Sequence, residues 1–568
     1  MPLADASTKI KKPLPSSNKN SLLSELDGLF SGDHISASGG IQYSEKNFGR
    51  DSAISMIFLL HSLENLHSHE DHKAGRYIIE QVIKSLVRWQ GQKAARLGRL
   101  WRKNAEEPGK IHHEAGPQRI DELLLSARWQ DDDDKNSDML VYFGSVDSTP
   151  LFVRLVCQYV MYLKKHDPTG HEAYRLLMTK VQNFRGTETT VLSSLLAAVR
   201  WIEVQLQVSD LGLLEYQRRP GQEQGLPNQT WKDSLTSYVH TSGRLANTNQ
   251  PVASVEVQGL AFDALMMIAK MFESDQLLSN VGRVNKNQIK IWRQRAEILR
   301  QNILTNFWHD KRFAQAVDRH PRSGKPRSVS TPSSNELHLL NSQIFDDMDQ
   351  TDKRIYLESL IRQAMSDEFL TDSGIRCRAK SQYKLINFAD YHGSWAVWPW
   401  ESHWIATGLR CQGFNKLADE VDRRILNAFT VSGSYLEYYL ADPRSESVYY
   451  RFVPLDWGLK IQSQPGSIAA ATMPDTPQTW SLTAAIDIRA ALSSVHPVKR
   501  DHDLWLAGLE KDILLKIKHI ALLTDETQIS KLREISHAAV IDRVRGRAAD
   551  ERYHRMAGTP APVLLPAV

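Results

Sequence analysis

Helical periodicity covers most of this chain, and strand-like alternation is confined to short pieces such as residues 447–453. Apolar residues recur at the three- and four-residue spacing that is typical of an α-helix. The stretches with this spacing are residues 54–63, 78–87, 151–163, 191–206, 255–272, 289–307, 354–365, 404–429 and 480–492. The pattern predicts an all-α fold.

Long polar connections separate some of these helices, for example residues 218–229 and 320–334. Loops of that length are uncommon unless they carry a function. Short and long connections alternate, which predicts a closed ring of helix pairs whose long loops gather at one end and build a site there. Because no clean sequence repeat is visible, a regular solenoid is not expected.

Composition and charge exclude several classes of protein. Lys and Arg total 70 against 66 Asp and Glu, and a net charge of +4 is too small and too evenly spread for a nucleic-acid partner. Three cysteines without a CxxC pair exclude a disulfide framework and favour a reducing compartment. Neither a membrane span nor a signal peptide is apparent. We therefore expect a cytoplasmic protein without a membrane partner, and the oligomeric state stays open.

Three regions are expected along the 568 residues. Residues 1–20 are rich in Lys, Ser and Pro and predict a disordered arm, and residues 21–498 form the main body. Residues 499–568 predict a helical C-terminal extension with a frayed tail. Its basic amphipathic helices can contact a partner or a membrane surface, but packing on the main body is the reading that we favour.

The first two candidate site segments lie where loops lead into helices. Arg50 and Asp51 follow a glycine, and Asp51 either caps the helix or forms with Arg50 a clamp on sugar hydroxyls. In the second segment, Ser148 or the next residue suits the helix cap and Pro150 the first turn. Asp147 is then left to face a ligand.

Two further segments carry polar side chains next to apolar ones. Lys232 and Asp233 form either a plain surface pair or, with Trp231 shielding the carboxyl group, a general acid with a raised pKa. Glu256 and Gln258 lie on an otherwise apolar helix, where unpaired polar groups are costly to bury. They indicate either a buried network or a polyhydroxylated ligand.

Aromatic residues mark the last two segments. The chain has 14 Trp, and residues 391–401 contain Trp398 and Glu401 in its densest aromatic stretch. Glu437 lies between tyrosines in residues 433–439. Aromatic faces either stack on sugar rings or pack in cores.

Together and in this order, these motifs resemble the amylo-α-1,6-glucosidase (glycogen-debranching glucosidase) family. The matching residues are Gly49-Arg50-Asp51, Gly144 to Pro150, Gln229 to Ser234, Val255 to Gly259 and Gly393 to Trp400, with Gln464-Pro465 where the family begins a late helix. That family belongs to the inverting (α/α)6-barrel glycosidases, which include trehalase. The resemblance, over roughly residues 40–490, implies an (α/α)6 toroid and a glycoside hydrolase without metal or cofactor.

The resemblance also implies roles for the residues. Asp233 is the acid that protonates the leaving oxygen, and Glu437 is the base that activates a water on the opposite face of the sugar, with Glu401 as the rival base. Inversion needs the two carboxyl groups roughly 6.5–9.5 Å apart. The residues implied to bind the released sugar are Arg50, Asp51, Asp147, Trp231, Lys232, Glu256, Gln258, Trp398 and Glu401.

The substrate stays open between α-1,6 branch stubs and a small α-glycoside such as trehalose or glucosylglycerate. A catalytically inactive carbohydrate-binding protein on the same barrel is the third hypothesis. About 40 residues precede the first motif, without the β-rich or transferase domain that debranching enzymes often carry. This favours a substrate other than polymeric glycogen.

Two metal-like patterns are set aside. His112-His113-Glu114 has adjacent histidines that rarely converge on one ion, and Glu114 is expected to face the sugar cleft instead. Asp347, Asp349, Thr351 and Glu358 imitate a calcium loop, but Asp352 stands where glycine is required. A capped helix is predicted there.

Overall fold

The computed structural model describes residues 23–39, 43, 45–66, 68–117, 129, 139–274, 281–386, 392–444, 448–449, 474–493 and 504–517. The predicted N-terminal arm, the Gln464-Pro465 pair and most of the predicted C-terminal extension lie outside these residues.

Six elements form a closed inner ring, in which each element packs against the next and the last packs against the first. They are α2 (Gly49–Leu63), α4 (Ser148–His166), α7 (Val255–Glu273), a 3-10 helix (Glu336–Asn341), α10 (Pro399–Cys411) and α12 (Thr479–Ser493). The fold is therefore all-α and of the predicted (α/α)6 type. The 3-10 helix has no counterpart among the helices that the sequence periodicity predicted.

Outer helices pack on the inner elements that precede them. They are α3 (His69–Arg88), α6 (Val191–Val208), α8 (Lys286–Phe307), α9 (Gln350–Ala364) and α11 (Asn415–Ser432). Three more helices complete the described part: α1 (Leu23–Leu26) contacts α12, α5 (His171–Leu177) lies against α4 and α6, and α13 (Leu504–Ile517) packs on α11. The described helix of the C-terminal extension thus packs on the main body.

The two layers differ in how much of each helix is buried. In α7, 16 of 19 residues are buried, so that the helix is surrounded by protein on all sides. In α8, six of 22 residues are buried, and these recur every three or four positions from Ile289 to Phe307. A single apolar stripe suffices for a helix that faces solvent on its other side, whereas an inner helix needs apolar residues all round.

Close approach inside the ring requires a glycine in α10. A Cβ atom at Gly408 would lie 2.6 Å from the backbone nitrogen of Asn341 in the 3-10 helix. No side chain fits there without moving the backbone of one element. This contact lets a short 3-10 helix fill one position of the ring.

Short strands lie in the connections. Three-stranded sheets are formed by β1 (Asn47–Phe48), β4 (Glu114–Pro117) and β5 (Met139–Tyr142), by β8 (Ala253–Ser254), β11 (Ala316–Arg319) and β12 (Pro326–Val329), and by β15 (Ala396–Val397), β16 (Tyr439–Ala441) and β17 (Val448–Tyr449). Hairpins are formed by β2 (Arg96–Leu97) with β3 (Leu100–Trp101), β6 (Lys180–Gln182) with β7 (Glu188–Thr190), β9 (Trp308–His309) with β10 (Arg312–Phe313), and β13 (Leu370–Thr371) with β14 (Gly374–Ile375). All pairs are antiparallel.

Each three-stranded sheet contains the strand that leads into an inner helix: β1 leads into α2, β8 into α7 and β15 into α10. Backbone hydrogen bonds of the sheets therefore fix where these three helices begin.

Two local predictions can be compared directly with the structure. The stripe over residues 404–429 was predicted as one helix, but α10 and α11 are separate, because Gly413 adopts a left-handed conformation (φ 92°) between them. The capped helix predicted in place of a calcium loop is confirmed, since Asp349 accepts a hydrogen bond from the backbone N–H of Thr351 at the start of α9 (2.8 Å).

Within the described residues, α6 meets by length and composition the criterion for a membrane-spanning helix, which no segment was expected to meet. Half of this helix is buried in the protein. Its buried side packs on α4 in the outer layer.

Candidate active site

The amino ends of the inner elements gather at one end of the ring. Each outer helix returns the chain to that end, where a long connection precedes the next inner element. This agrees with the predicted gathering of long loops. The amino end of a helix carries a partial positive charge, so carboxylates are favoured at this end of the ring.

Arg50, in the first turn of α2, is the hub of a buried cluster of charges. Its Nη1 donates to Asp147 Oδ2 (3.1 Å) and its Nη2 to Asp233 Oδ2 (3.3 Å). Its Nε lies 3.7 Å from Asp51 Oδ1. Ser145 Oγ also donates to Asp147 Oδ1 at 2.5 Å. One guanidinium group thus faces three carboxyl groups that come from three separate segments of the chain.

Neither acidic residue caps a helix through its side chain. The first helical residue of α2 is Gly49 and Phe48 is the cap residue, so the proposed capping role of Asp51 is wrong. Asp147 occupies the cap position of α4, where Ser148 or Thr149 was expected, but its side chain makes no cap hydrogen bond. Both carboxyl groups are therefore available to the Arg50 cluster.

Crowding of acids at this cluster changes their protonation. Burial raises the pKa of Asp233 to about 6, against the opposing effect of Arg50, and the charge of Asp147 adds to the rise. Burial likewise raises the pKa of Asp51 to about 7. A single cation cannot balance three carboxylates, so one acid of the cluster holds a proton near neutral pH.

Hydrogen bonds between loop residues hold Asp233 in place. Asn228 Nδ2 donates to the carbonyl of Ser234 (2.7 Å), and Tyr216 donates to Asn228 Oδ1 (2.8 Å). Lys232 extends away from Asp233 and is fully buried. Its Nζ donates to Ser333 Oγ, Ser334 Oγ and the Cys377 carbonyl at 2.9, 2.7 and 2.7 Å. These bonds fix the backbone on both sides of Asp233.

Aromatic rings pack beside this loop. Trp231 meets Trp398 edge to face (5.6 Å between ring centroids) and Trp400 likewise (4.9 Å). Trp231 and Trp398 are 3% and 1% exposed. Both rings pack mainly against other aromatic rings. Trp231 Nε1 is buried without a hydrogen-bond partner among the described residues.

His392 is a site residue that the sequence reasoning missed. It is buried, its ring stacks on Trp398 (5.3 Å), and its Nδ1 lies 3.1 Å from Ser234 Oγ next to Asp233. Burial lowers its pKa well below the usual value, and nearby Lys232 and Arg50 act in the same direction. The histidine lies in the aromatic segment that the sequence singled out, but no spacing rule distinguished it from its neighbours.

Glu437 lies in the connection between α11 and α12. The pairing of Val397 with Tyr439 in β15 and β16 brings Glu437 opposite the start of α10. Glu437 Oε2 accepts from the backbone N–H of Asp475 (3.1 Å), and the neighbouring Tyr438 packs on Trp398 (5.4 Å). Glu437 is 4% exposed. Asp475 precedes α12, so Glu437 is tied to the amino end of that inner helix.

Glu256 and Gln258, at the start of α7, occupy a buried network. Glu256 accepts from Tyr238 (3.0 Å) and from Ser254, and burial raises its pKa. Gln258 donates to the carbonyls of Leu214 and Ser254 (both 2.9 Å) and accepts from the backbone N–H of Leu214 (2.8 Å). The amide of Gln258 is thus engaged by main chain.

Glu401, the rival base, is fully buried in α10. Its Oε1 accepts from Ser334 Oγ (2.6 Å), lies 3.0 Å from His338 Nε2 and is 3.8 Å from Lys232 Nζ. Its Oε2 accepts from Cys377 Sγ at 3.6 Å. Both carboxylate oxygens therefore have protein partners.

The histidine pair gives no sign of a metal centre. His112 and His113 are buried, and burial lowers the pKa of His112 to about 3. Glu114 pairs with Lys46 at 2.5 Å. Among the described residues, no group of three His, Cys, Asp or Glu side chains is placed to hold a metal ion.

No protein-family model matches the chain, and no curated protein matches it. Solved structures do resemble it. GH63 mannosylglycerate hydrolase from Thermus thermophilus in complex with glucose aligns with a TM-score of 0.49 and 15% identity over 82% of this chain and 98% of its own. An uncharacterized conserved protein from the same organism gives 0.47 and 14% over the same shares. Values this low carry no information on substrate or mechanism.

Proposed function

We propose that the protein is a glycoside hydrolase that cleaves an α-glucosidic bond with inversion, using Asp233 as acid and Glu437 as base. The observation that carries the proposal is the cluster in which Arg50 alone faces Asp51, Asp147 and Asp233. Such a cluster keeps a carboxyl group protonated at the pH where a glycosidic oxygen must receive a proton.

Asp233 is suited to the acid's role by its position and its pKa. Its side chain is 23% exposed, more than those of Arg50 and Asp147, which are 5% and 3% exposed. It is therefore the member of the cluster most accessible to a leaving oxygen. Because burial raises its pKa to about 6, a useful fraction is protonated in mildly acidic to neutral solution.

Glu437 is proposed to activate the water. The carboxylate accepts a backbone hydrogen bond from Asp475, which holds it in one orientation. It comes from the connection before α12, whereas Asp233 comes from the connection before α7. In an inverting reaction the base removes a proton from water as the water attacks the anomeric carbon. The acid simultaneously protonates the departing oxygen.

The remaining predicted residues divide into two groups. We assign Arg50, Asp51, Asp147, Trp231 and Trp398 to the sugar subsite, since they surround Asp233 or the adjacent aromatic cluster. Lys232, Glu256, Gln258 and Glu401 are proposed to support the site, because their polar atoms are bonded to other protein groups. Glu437 is preferred to Glu401 as the base, because Glu401 is fully buried inside the ring and both of its carboxylate oxygens contact protein side chains.

Two substrate classes are proposed. The resemblance of the five motifs to amylo-α-1,6-glucosidases supports an α-1,6-linked glucose. The low exposure of Trp231 and Trp398 favours a small α-glucoside instead, since neither ring offers an open platform for a long glucan.

A substrate panel with NMR detection of the first-formed anomer tests the proposal. The panel contains isomaltose, panose, limit dextrin, trehalose and glucosylglycerate. We expect hydrolysis of at least one member with release of β-glucose. Release of α-glucose contradicts inversion, and binding of sugars without hydrolysis favours the inactive carbohydrate-binding alternative.

A further inference from the structure

One long hydrogen bond holds the carboxyl group of Asp233. Within the described residues, Arg50 is the one other side chain that is hydrogen-bonded to it, and that bond measures 3.3 Å. Displacing a reacting group by about 1 Å can cost about 10²-fold in rate. The placement of Asp233 therefore depends on what fixes residues 228–238, which we call the acid loop.

The hydroxyl group of Tyr238 contacts the acid loop three residues before Asp233. It lies 2.7 Å from Thr230 Oγ1, and Tyr238 is 1% exposed. It also lies 2.9 Å from Ser254 Oγ and 3.0 Å from Glu256 Oε1, where β8 leads into α7. One buried hydroxyl group thus ties the loop to the amino end of an inner helix.

Asn335, which precedes the 3-10 helix, adds a further contact. Its Nδ2 donates to the Tyr238 hydroxyl group at 3.2 Å, and its Oδ1 accepts from Ser333 Oγ at 2.5 Å. Ser333 Oγ in turn accepts from Lys232 Nζ (2.9 Å). Tyr238 and Lys232 therefore attach the acid loop at two points to the same segment, residues 333–335.

Every hydrogen-bonding position of the Tyr238 hydroxyl group is used. A phenol has one hydrogen to donate and lone pairs for two donors. The hydrogen goes to the Glu256 carboxylate, and the lone pairs accept from Asn335 and Thr230. Ser254 donates to Glu256 instead. Burial and the charge of Glu256 raise the pKa of Tyr238 well above its usual value, so the hydrogen stays in place.

The backbone around Tyr238 is anchored independently of this hydroxyl group. The carbonyl of Tyr238 accepts from the N–H of Ala246 (2.8 Å). Arg378 donates to the carbonyls of Thr236 and Ser237 (2.8 and 3.2 Å). The hydroxyl group therefore acts on Thr230 from a fixed position.

We propose that Tyr238 is a positioning residue, whose hydroxyl group fixes the acid loop so that Asp233 meets the leaving oxygen. The inference rests on the proposed function of Asp233 as the acid. Tyr238 itself does not contact the sugar, because protein groups occupy its hydroxyl group. Its removal should therefore affect the step that needs a proton from Asp233.

Hydrogen–deuterium exchange tests the positioning without any need for catalysis. The N–H of Val146 donates to the carbonyl of Gln229 (2.8 Å). The N–H of Ser237 donates to the carbonyl of Ser234 (3.1 Å). Both amides thus report on the order of the acid loop, and we expect Tyr238→Phe to speed their exchange about tenfold. Unchanged exchange in this variant overturns the proposal.

Tyr159→Phe is the matched control, since this buried tyrosine donates to Glu80 Oε1 (3.2 Å) in the second half of α4. It should leave exchange in the acid loop unchanged, and an equal increase there overturns the proposal. Thr230→Val removes the same hydrogen bond from the other side and replaces Tyr238→Phe if that variant does not fold. The double variant should exchange no faster than either single one, because both lose one interaction. Additive increases contradict the proposed bond.

The second arm measures leaving-group dependence. The best panel substrate needs a proton on its leaving oxygen, whereas α-glucosyl fluoride releases fluoride without one. We expect Tyr238→Phe to lower kcat about 10–100-fold on the panel substrate and to retain kcat within a few-fold on the fluoride. Equal losses on both substrates, or no loss on either, overturn the proposal. If the wild type hydrolyses neither compound, the proposed function fails, and the exchange experiment still decides whether Tyr238 fixes the loop.

Discussion

Two buried clusters of ionisable side chains lie on the inner ring, and they differ in the balance of their charges. At the amino ends, Arg50 is outnumbered by Asp51, Asp147 and Asp233. Farther along the helices, His403 of α10 lies between two carboxylates, with its Nδ1 2.8 Å from Asp422 and its Nε2 3.0 Å from Asp487. We call the second group, which also includes Arg410 and His61, the wall cluster.

The wall cluster contains at least as many basic groups as carboxylates. Arg410 also pairs with Asp422 (2.6 Å), and His61 of α2 lies 3.4 Å from Asp487. Burial alone would lower the pKa of His403, but Asp422 and Asp487 raise it to about 9. Burial alone would raise the pKa of Asp487, but His403 and His61 lower it to about 2.

The two clusters differ in how well their charges are balanced. In the wall cluster each charged group faces an opposite charge. The pKa of His403 is therefore raised and that of Asp487 lowered, and both groups stay charged near neutral pH. In the Arg50 cluster the acids are in excess, and the pKa values of Asp51 and Asp233 rise toward neutrality. Burial is common to both, and the ratio of cations to carboxylates decides the outcome.

The largest expected effect is on catalysis. Asp233→Asn removes the transferable proton and should lower kcat by roughly 10²–10⁴-fold, with Glu437→Gln giving a loss of similar size. Steady-state hydrolysis of the best panel substrate measures both. Asp367→Asn, which changes an exposed carboxylate, is the control. An active Glu437→Gln together with an inactive, folded Glu401→Gln would show that the base is misassigned.

Breaking the wall cluster should instead affect stability. Asp487→Asn leaves His403 with one carboxylate partner in a buried site, and we expect a loss of about 3–5 kcal/mol in the free energy of unfolding. Urea denaturation measures it. Asp512→Asn, which breaks an exposed pair with Arg362, should cost less than about 1 kcal/mol. Equal losses in the two variants contradict the importance of the wall cluster.

The two clusters should also lose stability over different pH ranges. His403 has a raised pKa, so its stabilisation is complete below about pH 6.5 and is lost as pH rises through about 9. That loss is on the order of 3 kcal/mol for a fully buried group. Asp487, with a lowered pKa, stabilises above about pH 4 and loses this effect toward pH 2.

Asp51 and Asp233 of the Arg50 cluster have raised pKa values, so their contribution to stability falls as pH rises from about 4 to 7. Thermal unfolding between pH 4 and 9 reveals both trends. His403→Gln should flatten the alkaline part of the profile, and Asp51→Asn the acidic part. A profile that neither variant changes rules out these assignments.

A smaller effect is expected at Arg50, the hub of the candidate active site. Arg50→Met removes charge-assisted hydrogen bonds of about 1.5–3 kcal/mol each and should lower kcat/KM by about 10–100-fold. Because Arg50 opposes the rise in the pKa of Asp233, its removal should also shift the alkaline limb of the pH–rate profile to higher pH. Arg50→Lys retains the charge and should shift the limb less. A purely structural role predicts no shift in either variant.

The sequence predicted the architecture well because helix formation and burial determine the spacing of apolar residues within each helix. The apolar residues of α7 surround the helix, those of α8 form one stripe, and this difference separates inner from outer positions. The 3-10 helix at Glu336–Asn341 left no such trace, since six residues are too few for a periodic pattern. Its place in the ring depends on the close contact with Gly408.

Site residues were harder to predict, because neighbours in sequence have different environments. Lys232 and Asp233 are adjacent, yet Lys232 is bonded to Ser333 and Ser334 whereas Asp233 faces Arg50. Glu256 and Gln258 were both expected at the sugar, but the amide of Gln258 is bonded to Leu214. His392 was missed because its place in the candidate site depends on a contact with Ser234, which is 158 positions away in the sequence.

The sequence by itself determined the helical class of this protein and the ring of helix pairs, and it singled out the segments that form the candidate site. Only the tertiary structure decided which side chains of those segments meet. Arg50 contacts partners 97 and 183 residues away. The spacing of apolar residues acts over a few turns of helix, but the pKa of a buried acid depends on charges that the closed ring brings together from distant parts of the chain.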